Sequence, residues 1–213
     1  YIPPISADWG RWACEGAGSY PIKPGCIGAG TGALSGGIKG GLGTASLILD
    51  SGITVAALVA NNSICSVINP DSGRPWEIQL EIDNEFGAQG KRSVRLPPEP
   101  EAEPIKNTTI GVVATNAVLN VAQAQKVAQM AHDGMARAIR PAHTMFDGDA
   151  LFCLATGKIE LPETPGTFIS PWAKCLNDLG HAAANCVSRA IIHTVLSARS
   201  LAGMKAFCEL EDK

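Results

Sequence analysis

The chain has 213 residues, enough for one sizeable core or for one domain with a long excursion. Apolar residues make up 46% and charged residues 17%, and a net charge of −3 leaves no electrostatic footprint for nucleic acid or an anionic membrane. Aromatics, at 5%, are too few for a base-stacking platform, and no apolar run reaches membrane-spanning length.

Residues 1–25 carry aromatics and prolines with few periodic signals, and read as mostly irregular. Residues 26–43 (CIGAGTGALSGGIKGGLG) form a glycine-rich loop. Strands are expected at 44–50 and 53–60 around Ser51-Gly52, a hairpin signal. Residues 64–68 suggest a third short strand, and the Asn-Pro-Asp-Ser-Gly run at 69–73 a turn. Residues 84–106 are polar and rich in Pro and Glu; lacking a packable face, they read as a flexible linker or processing segment.

The second half alternates differently. Residues 109–115 read as a β-branched strand. Asn120 is a good N-cap for a helix running to about Arg140, with Val121, Ala124, Val127, Ala128, Ala131, Met135, Ala138 and Ile139 on one face. Pro141 stops it, 143–149 form a loop, and 150–156 a strand. After a proline-marked crossing, a long helix spans about 172–202 with Leu176, Leu179, Ala183, Val187, Ile191 and Val195 inward. Helices segregated against strands suggest a layered α/β sandwich.

The seven cysteines are odd in number, none in CxxC spacing, and none is near a histidine at zinc-ligand spacing, so no metal site is read. Cys65, Cys153 and Cys186 lie in apolar runs and fit small core residues. That usage suggests a reducing compartment and a cytoplasmic location. No signal peptide is visible, and the start at Tyr1 suggests a fragment or a trimmed product.

Three features carry chemistry. The glycine loop fails the Walker pattern, because Lys39 is followed by Gly40. Gly28-x-Gly30-x-x-Ala33 with Asp50 keeps a dinucleotide reading open, beside a flexible loop or a loop whose backbone approaches an active site. In His143-Thr144-Met145-Phe146-Asp147-Gly148-Asp149, two carboxylates flank a glycine and could converge on one point, or form a solvated turn; the EF-hand pattern is absent. His132 and His193 read as surface or satisfied polar contacts, and the Asn61-Asn62-Ser63 triplet as a turn or a set of amide donors at a strand end. Finally, Thr108 heads a strand after the acidic run. Cut at Asn107–Thr108, it would join a free α-amine and a hydroxyl in one residue, a base beside a nucleophile.

The stretches GAGTGALSGGIKGGLGTAS, VAALVANNS, NTTIGVVATNA and HTMFDGDALFCLATG resemble, in order, the motifs of the DmpA-like family of L-aminopeptidase/D-esterases, β-aminopeptidases and 6-aminohexanoate-oligomer (nylon-oligomer) hydrolases. The resemblance implies an α+β fold, a four-layer αββα sandwich, here N-terminally truncated because the family's long segment ahead of the glycine loop, with its site tyrosine, is missing. It implies autocatalytic cleavage at Asn107–Thr108 into an α portion (1–107) and a β portion (108–213) that remain one domain. Thr108 matches the nucleophile, Asp147 and Asp149 the pair supporting it, Asn62 the oxyanion-side asparagine, and Lys39 the lysine of the KGG motif. Thr108 with Asp-Gly-Asp is closer to the nylon-oligomer hydrolase branch than to the serine peptidases. The expected activity is hydrolysis of small peptides, esters or amide oligomers through a threonine acyl-enzyme, without a cofactor, in a homo-oligomer of processed protomers. An aminopeptidase/D-esterase, a related acyltransferase and a non-catalytic glycine-loop module are the alternatives.

Overall fold

The computed structural model describes residues 6–19, 21–98, 107–166 and 170–213. In chain order it contains α1 (Ala7–Glu15), a hairpin of β1 (Leu34–Ser35) and β2 (Ile38–Lys39), β3 (Gly41–Ile48) and β4 (Thr54–Asn62). A small ladder of β5 (Ile68–Asn69) and β6 (Arg74–Pro75) follows, then α2 (Gly87–Gly90), β7 (Thr108–Ala117), α3 (Val121–Ala138), β8 (Ala150–Ile159) and α4 (Ala173–Leu196). Strands β3, β4, β7 and β8 form one four-stranded sheet in that spatial order. The first three run antiparallel; β8 lies parallel to β7, and α3 supplies the crossover that a parallel neighbour requires.

Strand alternation divides the sheet cleanly. Val55, Ala57, Val59 and Asn61 of β4, with Val113 and Thr115 of β7, face the helices and are buried. Against them lie Val127, Ala131 and Met135 of α3 and Leu179, Ala183, Val187 and Ile191 of α4, at the positions the helical period assigns. Two glycines set the spacing. A Cβ on Gly134 would stand 2.0 Å from the Ala184 carbonyl, and one on Gly43 equally close to the Ala190 carbonyl, so α4 crosses both α3 and β3 at backbone contact. The opposite sheet face exposes Ile48, Ile110, Phe152 and Leu154.

The Ser51-Gly52 hairpin forms as expected, with Gly52 at φ +78°. Asn120 caps α3 in a capping box: its side chain accepts the Gln123 N–H while the Gln123 side chain accepts the Asn120 N–H, both at 2.9 Å. Cys186 is buried and Cys65 and Cys153 pack against the core; all seven cysteines are free. No described helix is long and apolar enough to cross a membrane.

Other elements differ from the sequence reading. Residues read as irregular form α1, which buries none of its residues and so leaves no core-facing period to read. β3 starts inside the glycine loop at Gly41. In place of a third strand at 64–68 there is one bridge from Ser66 to Arg140, then β5. The largest correction concerns 84–98, the described part of the expected linker. This strap buries Phe86 and Val94, and its charges work inward. Glu85 binds the buried Arg189 of α4 through both oxygens, and Arg92 donates to the carbonyls of Phe207, Cys208 and Leu210. Polar composition hid these contacts because the packing uses ion pairs more than apolar side chains. Residues 99–106 lie outside the described residues.

Candidate active site

Thr108 is the first residue of β7, a central strand held by β4 on one side and β8 on the other. In the antiparallel register it stands opposite Asn62, the last residue of β4. Alternation places both on the exposed sheet face, where they line a cleft of about 250 Å³ with Ala29, Gly32, Ala33, Ala60 and Ile110. Asn62 is fixed from the glycine loop: its Oδ1 accepts the Leu34 N–H at 3.0 Å. The β1–β2 hairpin that carries Leu34 turns through Gly36 and Gly37, both at positive φ, a conformation that suits glycine. Ser35 then ties it to the end of β4 through the Ser63 hydroxyl at 2.9 Å.

Lys39 is buried in the same hairpin, and its ammonium donates to the Thr31 carbonyl at 2.9 Å. It therefore braces the loop that delivers Gly32 and Ala33 to the cleft. Gly30 and Gly40 permit the close approach, since a Cβ on either would strike the backbone of Leu42 or Asn61. Of the three readings of the glycine loop, backbone approach to a site fits this geometry. A short 3-10 turn and a hairpin follow Gly28, where a dinucleotide fold needs a helix.

The acidic loop extends β8 backwards alongside the Asn107–Thr108 junction. A parallel bridge joins Asn107 to Asp147, in the register of the β7–β8 ladder. The Gly148 peptide touches both sides of the junction: its N–H donates to the Asn107 carbonyl at 3.2 Å, and its carbonyl accepts the Thr108 hydroxyl at 2.6 Å. Asp147 Oδ1 accepts the Ile64 N–H at 3.3 Å, and its Oδ2 accepts the Thr144 hydroxyl at 2.5 Å. Asp149 Oδ1 accepts the Thr109 N–H at 2.8 Å, and its Oδ2 accepts the His143 N–H at 3.1 Å and lies 2.8 Å from His143 Nδ1.

The residue pattern left the two carboxylates either converging on one point or forming a solvated turn. Here the glycine between them meets the threonine, while the aspartates hold the loop and strand around it. Sequence reading passed over His143, which adopts φ +56° and closes on Asp149. The HTMFDGD motif contained it, yet nothing in the pattern marks a histidine that folds back on its own loop. His132 of α3 stacks edge-on against it at 5.0 Å; burial, then the neighbouring His143, holds the His132 imidazole below its ordinary pKa.

Behind Thr108, on the helix side, Asn61 is wholly buried. Its amide donates to the Thr194 hydroxyl at 3.1 Å, and its Oδ1 accepts the Thr109 hydroxyl at 3.4 Å. This polar plug pins the strand ends carrying Asn62 and Thr108 onto α4. A larger cavity, about 550 Å³, opens at the other end of the sheet beside Leu47, Asp50, Lys174 and Asp178, and holds none of these site residues.

An uncharacterized aminopeptidase of Mycobacterium leprae is 40% identical over 95% of this chain, and one of Mycobacterium tuberculosis is 38% identical over 96%. The chain spans 59% and 61% of those two proteins. A 6-aminohexanoate-oligomer endohydrolase of Kocuria sp. is 39% identical over a shorter stretch, 38% of this chain and 22% of its own length. Among solved structures, a Burkholderia sp. beta-aminopeptidase superposes with TM-score 0.67 at 28% identity, over 95% of this chain and 55% of its own. The Ochrobactrum anthropi L-aminopeptidase D-Ala-esterase/amidase, described as a variant of the Ntn hydrolase fold, superposes with TM-score 0.61 at 25% identity, covering 88% of this chain and 48% of its own. The mixed α/β architecture is thus that of Ntn-hydrolase-fold aminopeptidases. With the family model matched across residues 6–208, the chain belongs to peptidase family S58.

Proposed function

We propose that this chain carries the reacting centre of a self-processed amidohydrolase in which Thr108 is the nucleophile. One observation carries the reading: Thr108 begins a central strand, opposite Asn62, on the sheet face that opens into the cleft. In the precursor the Thr108 hydroxyl attacks the Asn107 carbonyl. The C–O bond forms first and gives a tetrahedral oxyanion; its collapse breaks the C–N bond, the hydroxyl proton ends on the released amine, and water hydrolyses the resulting ester. The freed α-amine then serves as base for its own hydroxyl. Attack on a substrate amide expels the amine product and leaves an acyl-enzyme, which water resolves. Asn62 supplies an amide donor to the oxyanion, a contribution of about 3–4 kcal/mol for such a donor. Asp147, Asp149 and Lys39 keep the two loops in register around the reacting atoms.

The proposed substrates are small peptides or linear amide oligomers. Threonine followed by the Asp-Gly-Asp loop favours 6-aminohexanoate-type oligomers, whereas the longer match to proteins named aminopeptidases favours peptide N-termini. Denaturing gels and N-terminal sequencing of the full-length protein test the mechanism. Two pieces are expected, one beginning Thr-Thr-Ile-Gly, and Thr108→Ala should block both maturation and turnover. A single intact band with undiminished amidase activity would overturn it.

A further inference from the structure

We infer that the Gly148 peptide is the oxyanion donor for self-cleavage, a role distinct from that of Asn62 in substrate turnover. This rests on the function proposed above and assigns the processing chemistry to the acidic loop. In the attack of Thr108 on its preceding residue, negative charge develops on the Asn107 carbonyl oxygen. That oxygen already accepts the Gly148 N–H at 3.2 Å, within hydrogen-bonding range before any charge appears. A donor held in place at the start of the reaction strengthens as the oxygen becomes anionic, which is the requirement for stabilising the transition state over the ground state.

The other end of the same residue handles the nucleophile. The Gly148 carbonyl accepts the Thr108 hydroxyl at 2.6 Å, so one residue grips the electrophile's oxygen and the attacking hydroxyl together. Its placement is fixed from both sides. Asp147 is tied to Ile64 and Thr144, and Asp149 to Thr109 and His143, so Gly148 sits between two anchored carboxylates and its peptide has little freedom to turn. Two partners at Asp149 Oδ2, the N–H and the ring of His143, lock the far side of the loop.

Atoms and electrons balance without a co-reactant other than water. The Thr108 Oγ forms a bond to the Asn107 carbonyl carbon, and the oxyanion rests on the Gly148 N–H. Its collapse expels the Thr108 nitrogen, which takes the hydroxyl proton. Hydrolysis of the ester leaves an Asn107 carboxylate and a free threonine amine. Asn107 is then free to leave, and the nucleophile turns to the cleft shared with Asn62.

The test removes the N–H and leaves the rest of the loop. Glycolic acid, incorporated at position 148 of the full-length precursor, replaces that amide with an ester oxygen; Gly148→Pro removes the same donor by a simpler route. Maturation, followed as appearance of the Thr-Thr-Ile-Gly terminus, should slow at least about a hundredfold in either form. Should the proline form fail to fold, the ester form decides. If the ester form matures at the wild-type rate while Thr108→Ala does not mature, this inference falls and the proposed function stands. If the wild-type precursor never matures, both fall together.

Discussion

Replacing Glu85 with glutamine should lower stability by about 3 kcal/mol, because it strands a buried cation. Glu85 Oε1 and Oε2 receive Arg189 Nε and Nη2, Oε2 also lies 3.1 Å from His193 Nε2, and the Arg189 side chain is only 5% exposed. Breaking one partner out of such a pair costs about 3–5 kcal/mol, and the glutamine carbonyl, which retains one acceptor, places the effect at the lower end. The Glu85 carboxyl gives a second measure. Burial pushes its pKa up, but hydrogen bonds from His193, Arg189 and the Ile82 backbone, with the arginine charge, carry it from 4.5 down to about 2. That displacement is worth at most about 3 kcal/mol, reduced to roughly 2 kcal/mol by screening at the partly exposed carboxylate.

The sign follows from linkage. A carboxylate with a lower pKa in the folded state contributes fully above pH 4.5, and the contribution is lost as pH falls towards about 2. Calorimetry at pH 7 should show the variant melting about 6–12 °C below wild type. Urea titrations at successively lower pH should show the two proteins converging across the window from 4.5 to 2. A gap under about 1 kcal/mol at pH 7, or one that widens as the pH falls, would refute the assignment of an inward-working ion pair to the strap.

Three further substitutions probe the site and the scaffold. Asn62→Asp keeps an acceptor for the Leu34 N–H but removes the amide donor, so kcat for a peptide amide should fall about a hundredfold with the glycine loop intact; equal kcat would exclude an oxyanion role. Gly134→Ala should cost about 2–3 kcal/mol in urea, since the added methyl meets the Ala184 carbonyl at 2.0 Å, whereas Gly10→Ala, whose methyl meets nothing within 4 Å, should be neutral or better.

Much of this arrangement is legible in the residues themselves. The Ser51-Gly52 turn, the Asn120 cap and the apolar stripes of α3 and α4 each follow from local chemistry, and local chemistry survives folding. The strand headed by Thr108 is legible too, because β-branched residues follow the polar step at once. The strap is not, since Phe86 and Val94 are isolated in a polar run and the decisive contact joins Glu85 to a residue on α4 far along the chain. The acidic loop is half legible. Residue types announce carboxylates close to a hydroxyl residue, but which group faces Thr108 depends on how the Gly148 peptide turns, and glycine leaves that to its neighbours. His143 shows the same limit, for its partner is chosen by a left-handed backbone that no spacing rule reveals.

The central position of β7 has a thermodynamic consequence. A break at Asn107–Thr108 would place a new chain end between two paired strands, with β4 and β8 holding it on both sides. Folded shape would change little. Unfolding, however, would release two molecules in place of one, so the melting midpoint of the matured protein would rise with protein concentration while that of an unprocessed Thr108→Ala chain would not. The cleavage would turn a first-order refolding into a second-order one. Maturation would then be a commitment, because a separated pair must find its partner again at whatever dilution prevails.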